Sequence, residues 1–193
     1  MLGLQLSTDP RWVELVEQDL RAVLIDHAWC EQKAASNAIS IVVRYPQYTA
    51  MAEALVALAQ EELGHFAQVL QKLKERGWPL GPERKDHYVN QLLTFVRKDG
   101  HPLERLVDRL LFSAMIEARS CERFKLLSER VEDEDLRVFY RDLMISEAGH
   151  YTTFIGFARE HAPEIDVEAR WKEFLAFEAE LVANYAKSPT IHG

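Results

Sequence analysis

The sequence predicts an all-α protein, a four-helix bundle with a crossover connection and an additional C-terminal helix. Leu, Ala, Glu and Arg are abundant, whereas Val and Ile do not cluster into the alternating runs of strands. Apolar residues recur every three or four positions through five long stretches. The 8 Gly and 7 Pro are too few for long loops. A chain of 193 residues therefore predicts a single domain over residues 1–193, with a core bundle at about 10–161.

The first half of the sequence predicts two long helices. Asp9-Pro10 provides an N-cap and a first-turn proline for the first helix, and Tyr45-Pro46 ends it. The second helix continues to about Arg76, where Gly77 and Pro79 stop it. The apolar face of the first helix contains Leu20, Leu24, His27, Glu31, Ala34, Ala38 and Ile41. That of the second contains Met51, Leu55, Leu58, Glu62, His65 and Val69.

The second half repeats this arrangement after a crossover at 77–101, which has a short helix near 87–97. A third helix starts near Pro102, and the acidic run 132–135 marks a turn and a negatively charged first helical turn. The fourth helix ends at Pro163, a last amphipathic helix covers about 164–186, and 187–193 is predicted to be disordered. The apolar faces of the third and fourth helices contain Leu103, Leu106, Leu110, Ala114, Glu117, Cys121 and Phe124, and Leu136, Tyr140, Leu143, Glu147, His150 and Phe154.

A Glu-x-x-His pair occurs once in each half, at Glu62–His65 and at Glu147–His150. A single glutamate precedes each pair. Glu31 lies 31 residues before Glu62, and Glu117 lies 30 residues before Glu147. Glutamate and histidine three residues apart lie on the same side of a helix, so each pair can serve one metal ion. The repeated spacing indicates a repeated metal-binding pattern.

The turns support one common layer for the four glutamates. Glu31 lies 15 residues before Pro46 and Glu62 lies 16 after it. At about 1.5 Å per residue, both lie roughly 23 Å from the bend. Glu117 and Glu147 each lie about 15 residues from the turn near Glu132. We therefore expect all four carboxylates at one height in the bundle.

Four glutamates and two histidines on apolar faces need compensating charge, because desolvating even one carboxylate costs several kcal/mol. Two divalent cations would cancel the four negative charges. Ferritin-like carboxylate proteins have this ligand arrangement: two helices each supply one glutamate, and the other two each supply a Glu-x-x-His pair. Oxygen-rich ligation with two histidines suits iron or manganese. The ligands alone leave hydroxylation, desaturation, peroxide reduction and iron storage open.

Several other residues lie near the predicted ligands along the chain. His27, one turn before Glu31, is expected either to support that ligand or to be a hydrogen-bonded core histidine. Cys121 is expected to be a small buried side chain that could line an oxygen pocket, and Arg119 to pair with acids or orient the substrate. Glu61 and Glu122 lie off the apolar faces, which predicts surface or ligand-supporting positions.

Longer blocks around these residues resemble the tRNA 2-methylthio-N6-isopentenyladenosine hydroxylases, the MiaE family. The most specific is the block 116–124, Ile-Glu-Ala-Arg-Ser-Cys-Glu-Arg-Phe. Further blocks lie at 25–36, 58–70, 139–140 and 146–151, so that the resemblance covers roughly 8–160. The chain departs from the expected pattern at Gly149, where a larger residue such as Arg is expected.

The resemblance implies a non-haem di-iron monooxygenase that hydroxylates the isopentenyl group of the modified adenosine beside the tRNA anticodon. It implies two iron ions, dioxygen, and two electrons from an external donor, a reductase that the sequence does not identify. The ligands that it implies, which act catalytically through the metal centre, are Glu31, Glu62, His65, Glu117, Glu147 and His150. We expect a monomer or a dimer.

The charge distribution agrees with a tRNA partner. The net charge is −8, but residues 72–125 have 12 basic and 8 acidic side chains. A tRNA substrate requires a local basic surface. The candidate tRNA-binding residues are Arg84, Lys85, Arg97, Lys98 and Arg105. Alternatively, these are ordinary solvated charges of a connecting segment.

The remaining features predict a cytoplasmic protein with no membrane association. No apolar run is long enough to span a bilayer, the N-terminus does not resemble a secretory signal, and Cys30 and Cys121 form no motif. Three alternatives stay open: a rubrerythrin-like di-iron peroxidase or oxidase, a ferritin-like iron-storage subunit, and a DNA-modifying or lipid hydroxylase. The chain lacks the Cys-x-x-Cys pair that rubrerythrins often have.

Overall fold

The computed structural model describes residues 2–184 and 190–192, and within these residues the regular structure is entirely helical. The chain forms two compact units. The described part of the smaller unit comprises residues 15–85 and 190–191. That of the larger unit comprises 2–14, 86–184 and 192.

The smaller unit is a hairpin of two long helices. A short helix α1 (Trp12–Gln18) precedes α2 (Leu20–Arg44) and α3 (Thr49–Glu75). The four-residue connection makes α2 and α3 antiparallel neighbours. The helix α3 ends in a Schellman motif: Trp78 N–H donates to the Leu73 carbonyl at 2.9 Å, and Gly77 has a φ of +68°. The predicted stop at Gly77 is therefore confirmed.

The prediction of one continuous helix from Asp9-Pro10 to Pro46 is wrong at Asp19. This residue has φ −150° and ψ 66°, which breaks the helical backbone between α1 and α2. Its side chain accepts a hydrogen bond from the Ala22 amide at 2.9 Å, so it acts as the N-cap of α2. The true start of the long helix is a capping aspartate rather than the first proline.

The larger unit is built on a second long hairpin, α5 (Pro102–Arg130) and α6 (Glu134–His161). His101 and Glu104 form a capping box at the start of α5, and Asp133 caps α6. Two further helices, α4 (His87–Leu93) and α7 (Val167–Asn184), pack with each other and with α5. The helix α4 ends earlier than the predicted 87–97, because Thr94 is its C-cap. Residues 185–186 of the predicted last helix lie outside the described residues.

These elements confirm the predicted fold class. Two long helical hairpins, a crossover with a short helix and an additional C-terminal helix are the parts that the sequence predicted for a ferritin-like protein.

Part of the C-terminal tail is ordered, contrary to the prediction for 187–193. Residues 187–189 and 193 lie outside the described residues, but Ile191 and His192 are buried. His192 Nδ1 lies 2.9 Å from Asp86 Oδ2, and its Nε2 lies 3.1 Å from Ser120 Oγ. The prediction was wrong here because it relied on the polar composition of the tail and could not include these contacts.

A buried ionic network holds the N-terminal segment and α7 against α5 in the larger unit. The guanidinium of Arg119, with no solvent exposure, donates to Glu178 Oε1 from Nε at 2.9 Å and to Glu122 Oε2 at 2.5 Å. Thr8 donates to the Glu122 carboxylate from both its amide and its hydroxyl, at 2.9 and 2.7 Å. Tyr88 donates to Glu178 at 3.0 Å. One arginine therefore compensates two buried carboxylates from different elements.

Replacing Arg119 by Ala should lower the free energy of unfolding by about 3–5 kcal/mol, because Glu122 and Glu178 would stay buried without a compensating charge. Urea unfolding followed by circular dichroism measures this change. The matched control is Arg159→Ala, which removes an exposed ion pair with Glu168 and should cost less than about 1 kcal/mol. Equal losses in the two variants would contradict the structural role of Arg119.

Candidate metal centre

The smaller unit brings three of the predicted ligands together. Glu31 lies on α2, and Glu62 and His65 lie one turn apart on α3. All three are buried, and one ligand atom from each lies within 4.8 Å of the others. His65 Nδ1 is 3.4 Å from Glu62 Oε2 and 3.6 Å from Glu31 Oε2. The equal distances from the bend at Pro46 therefore do bring these residues to one height.

The pKa values of Glu31 and His65 are both raised, as expected for buried carboxylates that lie close to each other and to a histidine. Burial is the main cause that raises the pKa of Glu31 to about 8; the hydrogen bond to His65 lowers this pKa, and the neighbouring Glu62 raises it. Burial alone would lower the pKa of His65, but hydrogen bonding to Glu31 and Glu62 raises it to about 10. Without a metal ion, the cluster therefore retains protons that a bound cation would displace.

His27 lies directly against one of these ligands. It has no solvent exposure, and its Nε2 lies 2.5 Å from Glu31 Oε1, one turn away on α2. The other oxygen, Glu31 Oε2, is the one that approaches His65. The two oxygens of Glu31 are therefore used differently: one contacts His27 and the other belongs to the cluster.

The larger unit contains the matching cluster. Glu117 lies on α5, and Glu147 and His150 lie one turn apart on α6. All three are buried, with relative exposures of 4%, 3% and 5%, and one ligand atom from each lies within 4.8 Å of the others. Each unit thus contains two carboxylates and one imidazole, the repeat that the spacing predicted.

These donor sets fit iron. Carboxylate oxygen and imidazole nitrogen are ligands that suit ferrous and ferric ions, and buried carboxylates require a cation. The clusters and the ferritin-like helical fold are consistent with iron binding. Each triplet consists of glutamate and histidine, so its donors are oxygen and nitrogen, and neither buried cysteine belongs to a triplet.

The residues predicted to support the ligands have different surroundings. Cys121 Sγ donates to the Met144 carbonyl at 3.2 Å, and burial, with the charge of Glu117, raises the pKa of its thiol to about 11. The thiol therefore stays protonated and links α5 to α6. The hydrogen bonds of Arg119 go to the N-terminal segment, Glu122 and Glu178. At Gly149 a Cβ would meet nothing within 4 Å, so a larger residue would fit there.

The predicted tRNA-binding residues are not equally available. Arg84, Lys85 and Lys98 are exposed. Arg97 is partly engaged, because its amide donates to Asp108 Oδ2 at 2.8 Å and its guanidinium approaches Asp108 Oδ1 at 3.5 Å. Arg105 is half-buried. Three of the five are therefore free to meet a polyanion without breaking an existing contact in the structure.

Sequence reasoning underestimated the buried ion pairs. Glu61 is exposed as expected, but Glu122 is buried and bound to Arg119, so its surface interpretation is wrong. Asp108 and Arg170 form a second buried pair, at 2.8 and 2.6 Å, that joins α5 to α7. One signal was present: Glu178 lies on the apolar face of α7, where a buried acid requires a basic partner.

No helix among the described residues is long and apolar enough to cross a membrane.

Comparison with known proteins identifies the family. The family model described as tRNA-(MS[2]IO[6]A)-hydroxylase (MiaE) matches residues 2–193. A Pseudomonas putida protein named tRNA 2-(methylsulfanyl)-N(6)-isopentenyladenosine(37) hydroxylase is 42% identical, covering 91% of this chain and 84% of its own length. A Salmonella typhimurium protein of the same name is 30% identical, covering 93% and 83%.

A solved structure is similar over almost the whole chain. It is described as protein 43 with aldehyde deformylating oxygenase activity, from Synechococcus. It has a TM-score of 0.92 and 36% identity, and the alignment covers 99% of this chain and 96% of that one. The helical fold, the two ligand triplets and the match over residues 2–193 together place this chain in the MiaE family of tRNA hydroxylases.

Proposed function

We propose that this chain is a di-iron monooxygenase that hydroxylates the isopentenyl group of 2-methylthio-N6-isopentenyladenosine in tRNA. The observation that carries the proposal is the 42% identity to a hydroxylase of that name over 91% of the chain. The buried triplet in each unit supports the proposal, because its carboxylate and imidazole groups could hold the iron that such a reaction needs.

The six ligands would hold two iron ions, with Glu31, Glu62 and His65 supplied by the smaller unit and Glu117, Glu147 and His150 by the larger. When bound, iron supplies activation of dioxygen. One oxygen atom enters a C–H bond of the isopentenyl group, and the other leaves as water with two electrons from an external reductase and two protons. The chain supplies the ligands and buries them from water. The bound cations would neutralise the negative charge of the carboxylates.

His27 would position Glu31 for this role. Its contact with Glu31 Oε1 leaves Oε2 as the oxygen directed to the cluster, so that His27 would fix the orientation of a carboxylate that would hold iron. Hydrogen bonds of this kind to a ligating group typically change metal affinity by about 10- to 100-fold. His27 is therefore a positioning residue rather than a ligand in this proposal.

The tRNA would be bound by exposed basic residues of the crossover. Arg84, Lys85 and Lys98 are the candidates for contacts with phosphate, with smaller contributions from Arg97 and Arg105. Because the rest of the chain is acidic, binding should be weak and should decrease steeply with salt.

Aldehyde deformylation is a second candidate function. It is favoured by the 36% identity to the Synechococcus protein over 99% of this chain. The tRNA hydroxylase is preferred because a higher identity and the family match over residues 2–193 both point to it. Rubrerythrin-like peroxidase activity and iron storage have no comparable support.

The ligand assignment predicts a graded loss of iron. Glu147→Ala should abolish binding of the iron ion that Glu117, Glu147 and His150 would hold, because it removes one carboxylate from this set of three ligands. His27→Ala should retain two iron ions but bind them about 10- to 100-fold more weakly. Iron content and chelator competition measure both effects.

The control for this series is Glu160→Ala, an exposed glutamate on the same helix as Glu147, which should bind iron like the unmodified protein. If Glu147→Ala keeps two tightly bound iron ions, the ligand set is wrong. If His27→Ala has an unchanged affinity, His27 has no positioning role.

The proposed activity predicts a specific product. Reduced, iron-loaded protein incubated with oxygen and tRNA that contains the isopentenyl adenosine should add one oxygen atom to that nucleoside, as measured by nucleoside mass spectrometry. The iron-deficient Glu147→Ala variant provides the control. In a parallel assay an aldehyde replaces the tRNA. Formation of alkane and formate, with the nucleoside unchanged, would reject hydroxylation and favour deformylation.

A further inference from the structure

One face of the α2/α3 hairpin exposes large apolar side chains. Ile39 and Val43 on α2 are 42% and 74% exposed, and Val56 and Leu63 on α3 are 40% and 51% exposed. The two residues on α2 are one turn apart, and those on α3 are two turns apart, as expected for one side of each helix. Contiguous exposed apolar surface of this kind marks interaction sites in folded proteins.

The same helices lack charge along this face. Residues 34–43 and 54–60 contain no Asp, Glu, Lys, Arg or His, although 28% of the chain is charged. Depletion of charged residues is typical of the buried centre of protein interfaces. It also argues against tRNA as the occupant, because phosphates require basic groups.

A groove of about 480 Å³ runs along this face between α2 and α3. Ala35 and Ala59, both buried, are its smallest apolar lining residues, and the exposed Ile39, Val56 and Leu63 also line it. The face therefore combines projecting apolar side chains with a groove that can receive side chains of similar size. A surface with both features can pack against a copy of itself around a two-fold axis.

We propose that this face, defined by Ile39, Val43, Val56 and Leu63, is the interface of a homodimer. The chain carries a net charge of −8, so two copies repel each other as whole molecules. A contact surface without charged residues adds no further repulsion between the two copies. At the border of the face, α2 carries the exposed Arg44, whereas α3 carries the exposed Glu53 and Glu61. Packing α2 of one copy against α3 of the other would bring these opposite charges together. This charge complementarity favours a second copy as the partner. This proposal is independent of the proposed function.

Sedimentation or light scattering of the full chain tests the interface. The unmodified protein should have about twice the chain mass of 22.3 kDa. The double variant Ile39→Lys/Val56→Lys should raise the dimer dissociation constant by about 100-fold or more, because two lysines per copy would be buried without partners. The control Val138→Lys changes an apolar residue on α6 that is 52% exposed, and it should leave the dimer intact.

Circular dichroism of each variant should show a retained fold, since the substituted positions are exposed. A wild-type protein that stays monomeric at the highest soluble concentration would overturn the proposal. So would a dimer that Ile39→Lys/Val56→Lys leaves unchanged. A monomer that binds lipid vesicles or unmodified tRNA in a manner sensitive to these substitutions would assign the face to that partner instead.

Discussion

The cost of burying carboxylates determines much of this structure. Each unit places two glutamates and a histidine in its interior, and the raised pKa of Glu31 shows how unfavourable this is without a cation. Elsewhere in the larger unit the same cost is met within the protein, where Arg119 compensates Glu122 and Glu178 and Arg170 compensates Asp108. Acids that are buried with an arginine hold the helices of the larger unit together, whereas the carboxylates that cluster with histidine are the candidate metal ligands.

The ligand triplets could be predicted from the sequence because each is a local property of a helical hairpin. Spacing of three residues places Glu62 with His65, and equal distance from Pro46 places Glu31 beside them. The break at Asp19 was missed because a capping aspartate inside an apolar pattern resembles any exposed acid. The contact of Glu122 with Thr8, the contact of Ile191 with Asp26 and the contacts of His192 all join segments more than 70 residues apart, which periodicity does not reveal.

The most family-specific sequence block has two separate roles. Glu117 faces the candidate metal ligands, while Arg119, Ser120 and Glu122 contact the N-terminal segment, α7 and the C-terminal tail. Fewer than three consecutive turns of one helix thus contribute both a ligand and the contacts that fix that helix in its unit. This explains why the block indicates the family more strongly than the ligand spacing, which any carboxylate-bridged metalloprotein of this class would share.

The central proposal is that the six buried residues hold two iron ions. Mössbauer spectroscopy of the unmodified chain loaded with ⁵⁷Fe tests this claim most directly. Two iron ions per chain with an antiferromagnetically coupled, diamagnetic diferric state is the result that the account predicts. A single iron ion per chain, or two magnetically independent high-spin ferric ions, would contradict it.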